Sequence, residues 1–273
     1  MRIALLQMTS GIDPAVNAAD LRHGIAAAAA NGAVMAFAPE MAGLIDRDRG
    51  RAAASIHAEA DDPVLASVCD AAARAGIWVQ LGSLAIQRED GRWANRSFVI
   101  DATGAIRARY DKMHLFDVDL PTGESWRESA AYAPGEAAIV ADTPVGATGL
   151  SICYDLRFPA LYAGLAAAGA QVLSIPAAFT RPTGSAHWHV LLRARAVETG
   201  CFVVAAAQAG AHEDGRLTYG HSLVVDPWGE ALLDMGDARG LGFAENDPER
   251  VADVRSRIPV LSHRRTIPPI THV

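Results

Sequence analysis

Apolar and polar positions divide the 273-residue chain into strand-like and helix-like stretches that follow one another. "RIALLQM" at the N-terminus predicts a first buried strand. Asp13-Pro14 offers an N-cap and a proline at the first helical position; the alanine-rich stretch to Ala30 favours helix until Asn31-Gly32 ends it. "AVMAF" then reads as a short buried strand running into Pro39 and Glu40. The pattern recurs: Asp62-Pro63 opens a helix, Gly76 closes it, and "IWVQLGSLAI" is the next strand. "RSFVIDATGAIRARY" alternates on both sides of a Thr103-Gly104 turn, as a hairpin does. "AAIVA", "TGLSI", "QVLSI" and "CFVVAAAQ" predict further strands, with helices near 158–168 and 185–198 among them. "HSLVVDPWGEALLDM" makes a second hairpin about Asp226-Pro227-Trp228-Gly229, and 246–257 predicts a last helix.

Helices alternating with single strands and hairpins imply an α/β protein, with a mixed sheet or two packed sheets and helices outside. Neither an internal repeat nor linker-like composition interrupts the chain, so one domain over 1–273 is expected, with a proline-rich, basic extended arm near 259–273.

The formal charge of −7 comes with dispersed arginines rather than a basic stripe, which excludes the usual nucleic-acid footprint. No apolar run approaches the roughly 18–20 residues of a membrane span. "MRIALLQMTS" lacks a long apolar signal region, and three scattered cysteines make no disulfide framework. A cytoplasmic, reduced protein is the expectation. Of 24 basic residues 23 are arginine, and Lys112 is the one lysine. It marks either a chance survivor or a position where a guanidinium cannot replace a compact ammonium.

Three stretches put reactive side chains where apolar strands end. In "FAPEM", Glu40 follows a strand and Pro39 stiffens its approach. Partial desolvation raises such a carboxyl towards the range of a general base; a simply solvated carboxylate is the alternative. In "RYDKMHLFDVD", Lys112 at a closed strand end suits oxyanion stabilisation, and His114, two residues on, suits a structural hydrogen bond. In "GLSICYDLRFP" (149–159), Cys153 ends an apolar run beside Tyr154, Asp155 and Arg157. A cysteine at a strand-to-helix turn gains from backbone N–H groups and the helix N-terminus, which lower its pKa; a structural cysteine is the alternative. Cys69, mid-helix, and Cys201, opening an apolar strand, fit the buried, inert kind. No metal site is expected: His187 and His189 of "HWH" are two apart in a predicted helix, whereas ligands sharing a face stand three or four apart.

Taken together, Glu, Lys and Cys at ordered strand ends, inside "APE", "YDKMHLFDVD" and "ICYDLRFP", resemble the nitrilase superfamily of carbon–nitrogen hydrolases. The likeness runs end to end, through "RESAAYAPG" around Glu128, "TGSAHWHVLLRARAVETGCFVVAAAQ", "YGHSLVVDPWGE" and the closing "RSRIPVLSHRR". It implies a four-layer α-β-β-α sandwich, a homodimer or higher homo-oligomer, no cofactor, and a small-molecule amide as substrate. It further implies that Glu40 is the general base, Lys112 the oxyanion stabiliser and Cys153 the nucleophile. Glu128 would orient Lys112, and the backbone N–H of Tyr154 would join Lys112 at the oxyanion. Phe179 and Thr183, in "AAFTRPTG", match pocket-lining positions of omega-amidase-like members. Arg157 matches a carboxylate-binding position there; pairing with Asp155 is its bland alternative.

Within the superfamily the chain most resembles the Nit branch known from fusions with Fhit, which implies hydrolysis of deaminated glutathione. Omega-amidase, acting on 2-oxoglutaramate or succinamate, is the neighbouring reading. "MAGLIDRDRG" after Glu40 lacks the Tyr that omega-amidases tend to carry, which favours the first. "YDLRFP" after the cysteine departs from the "WE" of true nitrilases. A catalytically idle member serving as a scaffold or binding module would be expected to lose a catalytic residue, and none is missing.

Overall fold

Neighbouring residues of the first strand belong to different cores, and this alternation sets the architecture. A computed structural model describes residues 1–119, 123 and 125–272. Its first half runs β1 (Arg2–Gln7), α1 (Pro14–Ala30), β2 (Met35–Phe37), α2 (Arg49–Ala53), α3 (Pro63–Ala75), β3 (Trp78–Gln87), β4 (Trp93–Ile100) and β5 (Ile106–Asp111). A small hairpin of β6 (Asp117–Asp119) and β7 (Ser125–Arg127) leads to β8 (Val140–Thr143) and β9 (Gly146–Leu150). Then come α4 (Pro159–Ala167), β10 (Val172–Ser174), α5 (Arg181–Thr199), β11 (Phe202–Ala205), β12 (Ala209–Ala211) and β13 (Leu217–Tyr219). The chain closes with β14 (Leu223–Val225), β15 (Ala231–Asp234), β16 (Gly240–Glu245) and α6 (Pro248–Arg257).

The helix ends follow the expected chemistry. Asp13 accepts a hydrogen bond from Ala15 N and Asp62 one from Leu65 N, each satisfying a first-turn donor. Gly76 closes α3 in the left-handed region at φ +64°. Helix α5 starts earlier than its apolar pattern indicated, at Arg181, with Pro182 in the first turn.

Two six-stranded sheets form, in the orders β16-β1-β2-β3-β4-β5 and β15-β14-β11-β10-β9-β8. Each has a parallel centre (β1-β2-β3 and β9-β10-β11) flanked by antiparallel strands. Ile3, Leu5, Met35 and Phe37 share a core with Leu150, Val172, Phe202 and Val204, which the register puts on the face of the second sheet turned away from α4. The intervening Ala4, Leu6, Ala36 and Ala38 pack with Leu21 and Ile25 of α1 and Leu65 and Val68 of α3. Trp188 and Leu192 of α5, with Leu161 and Leu165 of α4, cover the second sheet. Each large side chain buried this way contributes about 1.5–3 kcal/mol. The result is the four-layer α-β-β-α sandwich. Residues 262–272 run as exposed, irregular chain. No helix among the described residues is long and apolar enough to cross a membrane.

Candidate active site

The parallel centres aim their C-terminal ends at one place. Glu40 lies just beyond β2, Cys153 just beyond β9 and Ala178 beyond β10, while Lys112 directly follows β5. All four line a single cavity of about 640 Å³ with Asn95, Glu128, Tyr132, Tyr154, Arg157, Phe179 and Thr183.

Packing of the first sheet holds Glu40 in position. Gly82, at an irregularity in the β3–β4 register, lets the Ala38–Pro39 backbone approach so closely that a Cβ there would stand 2.2 Å from Ala38 O. The Glu40 carboxylate then accepts from Ala178 N–H at Oε2 (2.9 Å), and from Lys112 Nζ (2.9 Å) and Asn95 Nδ2 (2.9 Å) at Oε1. Lys112 Nζ also donates to Glu128 Oε2 (2.9 Å) and, more weakly, to Oε1 (3.2 Å). The ammonium, 2 % exposed, is thus gripped between two carboxylates; with one N–H on Glu40 and one shared by the two Glu128 oxygens, the third is left for another acceptor. Glu128 is itself fixed by the Phe116 N–H (2.7 Å) and by Asn95 Nδ2 (3.1 Å).

Cys153 opens a five-residue 3₁₀ turn and sits in the left-handed region at φ +50°, a strain of about 1–3 kcal/mol for a residue with a side chain. Its N–H is held by Pro176 O at 2.9 Å, and its buried thiol lies close enough to Glu40 and Lys112 to feel both charges. The next N–H, that of Tyr154, has no hydrogen-bond partner among the described residues, and Tyr154 is one of the residues that line the cavity. That is the condition of an oxyanion-hole donor.

Two expectations about ionisation are reversed. Burial pushes the Glu40 carboxyl up, but Lys112 beside it, the Cys153 thiol and hydrogen bonds from Lys112 and Asn95 outweigh this and hold it below the ordinary 4.5. Cys153 moves the other way: burial, then the Glu40 charge, drive its thiol well above 9.0 against the pull of Lys112. A short 3₁₀ turn supplies little dipole, since α4 begins only at Pro159. At rest the pair is therefore a carboxylate and a thiol. For Lys112, burial favours the neutral amine, yet Glu128 and Glu40 raise its pKa well above 10.5 and keep it charged.

A second group of contacts welds the lysine segment to the cysteine turn. Buried Asp155 accepts from Tyr110 Oη at Oδ2 (2.7 Å), from the His114 N–H at Oδ1 (3.0 Å) and from Ile152 N–H at Oδ2 (2.9 Å). His114 Nδ1 lies 2.7 Å from the same Oδ1, and its ring stacks on Phe158 at 3.6 Å. His114 is thus structural, as its position indicated. Asp155 has no contact with Arg157, so the ion pair considered for these residues does not form. Arg157 instead donates to His187 Nδ1 (3.2 Å), and its guanidinium carbon lies 5.7 Å from the Phe179 ring and 5.9 Å from that of Tyr154. Thr183, on the first turn of α5, shares a 2.9 Å hydroxyl contact with Thr180.

Asn95, Tyr132, Trp126, Arg216 and Arg47 are among the further lining residues, none of them marked by a motif in the sequence. Asn95 is a buried polar side chain that needs a partner, but its strand, WANRSFVI, also carries Arg96 and Ser97, so its sequence does not set it apart. The "HWH" histidines part company, since His187 meets Arg157 while His189 Nε2 lies 2.9 Å from Asp234 Oδ2. His221 Nδ1 lies 2.8 Å from the other oxygen, so the ligating atoms of His189, His221 and Asp234 fall within 4.8 Å of one another, a convergence that spacing alone does not reveal. Cys69 and Cys201 are free thiols away from this cavity, and burial raises both.

Known proteins similar to this chain share its sequence and fold. The family model described as "Carbon-nitrogen hydrolase" matches residues 2–256. A deaminated glutathione amidase of Yersinia enterocolitica is 42% identical over 270 residues, covering 97% of this chain and 93% of that protein. The solved NitFhit protein of Caenorhabditis elegans superposes with a TM-score of 0.90 at 40% identity; 97% of this chain covers 65% of that fusion. An amidase from Nesterenkonia sp. AN1, solved with acrylamide added at its active-site cysteine, gives a TM-score of 0.80 at 29% identity, over 95% of this chain and 98% of that one. With a matching fold and end-to-end sequence likeness, the chain belongs to the carbon-nitrogen hydrolase family.

Proposed function

We propose that the protein is a thiol amidase that cleaves a linear, non-peptide amide through a thioester on Cys153, with deaminated glutathione as its substrate. The observation that carries this reading is the Lys112 ammonium held 2.9 Å from both Glu40 and Glu128, in one cavity with the buried Cys153 thiol. The relatives named deaminated glutathione amidase supply the substrate.

Glu40 takes the Cys153 proton as sulfur attacks the amide carbonyl, so an unfavourable free thiolate never has to form. The developing oxyanion meets the remaining Lys112 N–H and the Tyr154 N–H. Protonated Glu40 passes its proton to the departing nitrogen, the C–N bond breaks and a thioester remains. Glu40 then takes a proton from water, the resulting hydroxide attacks the thioester, and the C–S bond breaks as sulfur recovers the proton. The sum is amide plus water giving acid plus amine. Glu128 holds Lys112 charged and in place, and Arg157, Phe179 and Thr183 line the substrate's path.

A cytoplasmic location and a homodimer belong to the same reading. The three cysteines are unpaired, and Val190 and Val197, one heptad apart on α5, are 62% and 53% exposed, a face suited to a second copy. Mass spectrometry of protein quenched during turnover tests the chemistry: an acyl adduct on Cys153, absent from Cys153→Ala, is expected. An adduct on Cys69 or Cys201 overturns it. Ranking deaminated glutathione, 2-oxoglutaramate and succinamate by kcat/KM tests the substrate, and equal or better turnover of 2-oxoglutaramate reverses the preference.

A further inference from the structure

Two buried donors among the cavity-lining residues, Trp126 Nε1–H and Arg216 Nε–H, have nothing to bond among the described residues. The Arg216 guanidinium carbon lies 4.6 Å from the Trp126 ring centroid and that of Arg47 lies 5.8 Å from it. An unmade buried hydrogen bond costs about 1–3 kcal/mol, so two such donors on one wall call for an acceptor.

The nearby carboxylates do not fill that role. Asp46 is engaged by Arg51 through two bonds, of 2.5 and 2.8 Å. Asp214 accepts the Arg216 backbone N–H at Oδ1 (2.9 Å), while its Oδ2, itself without a hydrogen bond, stands 3.6 and 3.9 Å from the Arg216 and Arg47 guanidinium groups, beyond hydrogen-bonding distance. Two guanidinium groups against one carboxylate leave a net positive charge on this wall. Arg157, by contrast, packs against Tyr154 and Phe179 and bonds His187, so the cavity has two separate cationic positions.

We infer that Trp126, Arg216 and Arg47 form a second anion subsite, and that the substrates are linear amides carrying a carboxylate at each end. One end goes to Arg157 and the other to this wall, where the guanidinium fork and the indole N–H hold the carboxylate oxygens. The inference rests on the amidase reading and narrows its substrate class. Deaminated glutathione meets the requirement, with a 2-oxo acid at one end and a glycine carboxylate at the other.

The test compares kcat/KM for deaminated glutathione with that for the same molecule capped as the glycine carboxamide, using the full chain. The wild-type protein should prefer the free acid by about 10–100-fold, the size of one hydrogen bond to a charged group. In Arg216→Gln this preference should fall to within about threefold. Trp126→Phe, which keeps the ring but removes the N–H, should lower it several-fold and serves if the arginine variant does not fold. Equal wild-type turnover of both molecules overturns the subsite and leaves the amidase standing, as does a preference that survives in both variants. No turnover of either molecule, or of any simple amide, overturns the amidase reading and this inference with it.

Discussion

The Tyr110 hydroxyl donates to Asp155 at 2.7 Å, joining the residue two before Lys112 to the residue two after Cys153. Through this bond the end of the first sheet is locked to the turn of the second, so the lysine and the thiol keep one separation. Tyr110→Phe removes it from a buried carboxylate that keeps the donors of His114 and Ile152. We expect a loss of about 1–3 kcal/mol in chemical denaturation. A larger fall in kcat than in affinity should accompany it, because the two reacting segments lose their common anchor. Unchanged stability and kcat together would show that the bond positions nothing.

Lys112→Arg should damage turnover almost as much as Lys112→Ala. The buried pocket between Glu40 and Glu128 fits a compact ammonium, whereas a guanidinium is larger and directs its donors in a plane. Losing one oxyanion contact typically lowers kcat by about 10²–10³. Near-normal steady-state kinetics for the arginine variant would contradict this.

Gly82→Ala tests whether backbone packing places the base. The new Cβ would meet Ala38 O at 2.2 Å and Pro39 O at 2.3 Å, and main-chain atoms cannot swing away as a side chain can. The segment carrying Glu40 has to move. A displacement near 1 Å is enough to lower kcat about 10²-fold, with destabilisation of about 1–3 kcal/mol. Thermal melting and initial rates read both effects, and a fully active alanine variant is the result that defeats the argument.

The pH dependence follows from the Glu40–Lys112 pair. Glu40 has a folded pKa below its ordinary 4.5, so its contribution to stability is present above that value and is lost as pH falls through the folded one. Lys112 has a folded pKa well above 10.5, so its contribution is complete below 10.5 and is lost as pH rises through the folded one. Between these limits the pair should add no slope to stability. The acid limb of kcat/KM should lie below 4.5, where Glu40 takes up a proton. Because the Cys153 thiol sits well above 9.0, no rise in rate should track ordinary thiol ionisation near pH 8–9. A rate that climbs tenfold per pH unit through that range would mean that free thiolate, not Glu40, limits the reaction.

Much of this molecule is set by its sequence, because the signals involved are local. The two-residue alternation Ile3-Ala4-Leu5-Leu6 already divides the first strand between two cores. Asp13, Asp62 and Gly76 mark helix ends through bonds that reach only a few residues. The strand-end positions of Glu40, Lys112 and Cys153, and their resemblance to a known motif, were legible for the same reason. Tertiary structure alone decided which charges meet. Asp155 bonds Tyr110 and His114 rather than Arg157, Asn95 bridges Glu40 and Glu128, and Trp126 and Arg216 line the same cavity as Cys153. It also set the sign of both pKa shifts. From local sequence Glu40 is expected to rise and Cys153 to fall. Once folded, Lys112 holds Glu40 down, while burial and the Glu40 charge drive Cys153 up. Coulomb interactions at a few ångströms in a buried, low-dielectric pocket outweigh a turn's own dipole, and those few ångströms separate residues 72 positions apart in the chain.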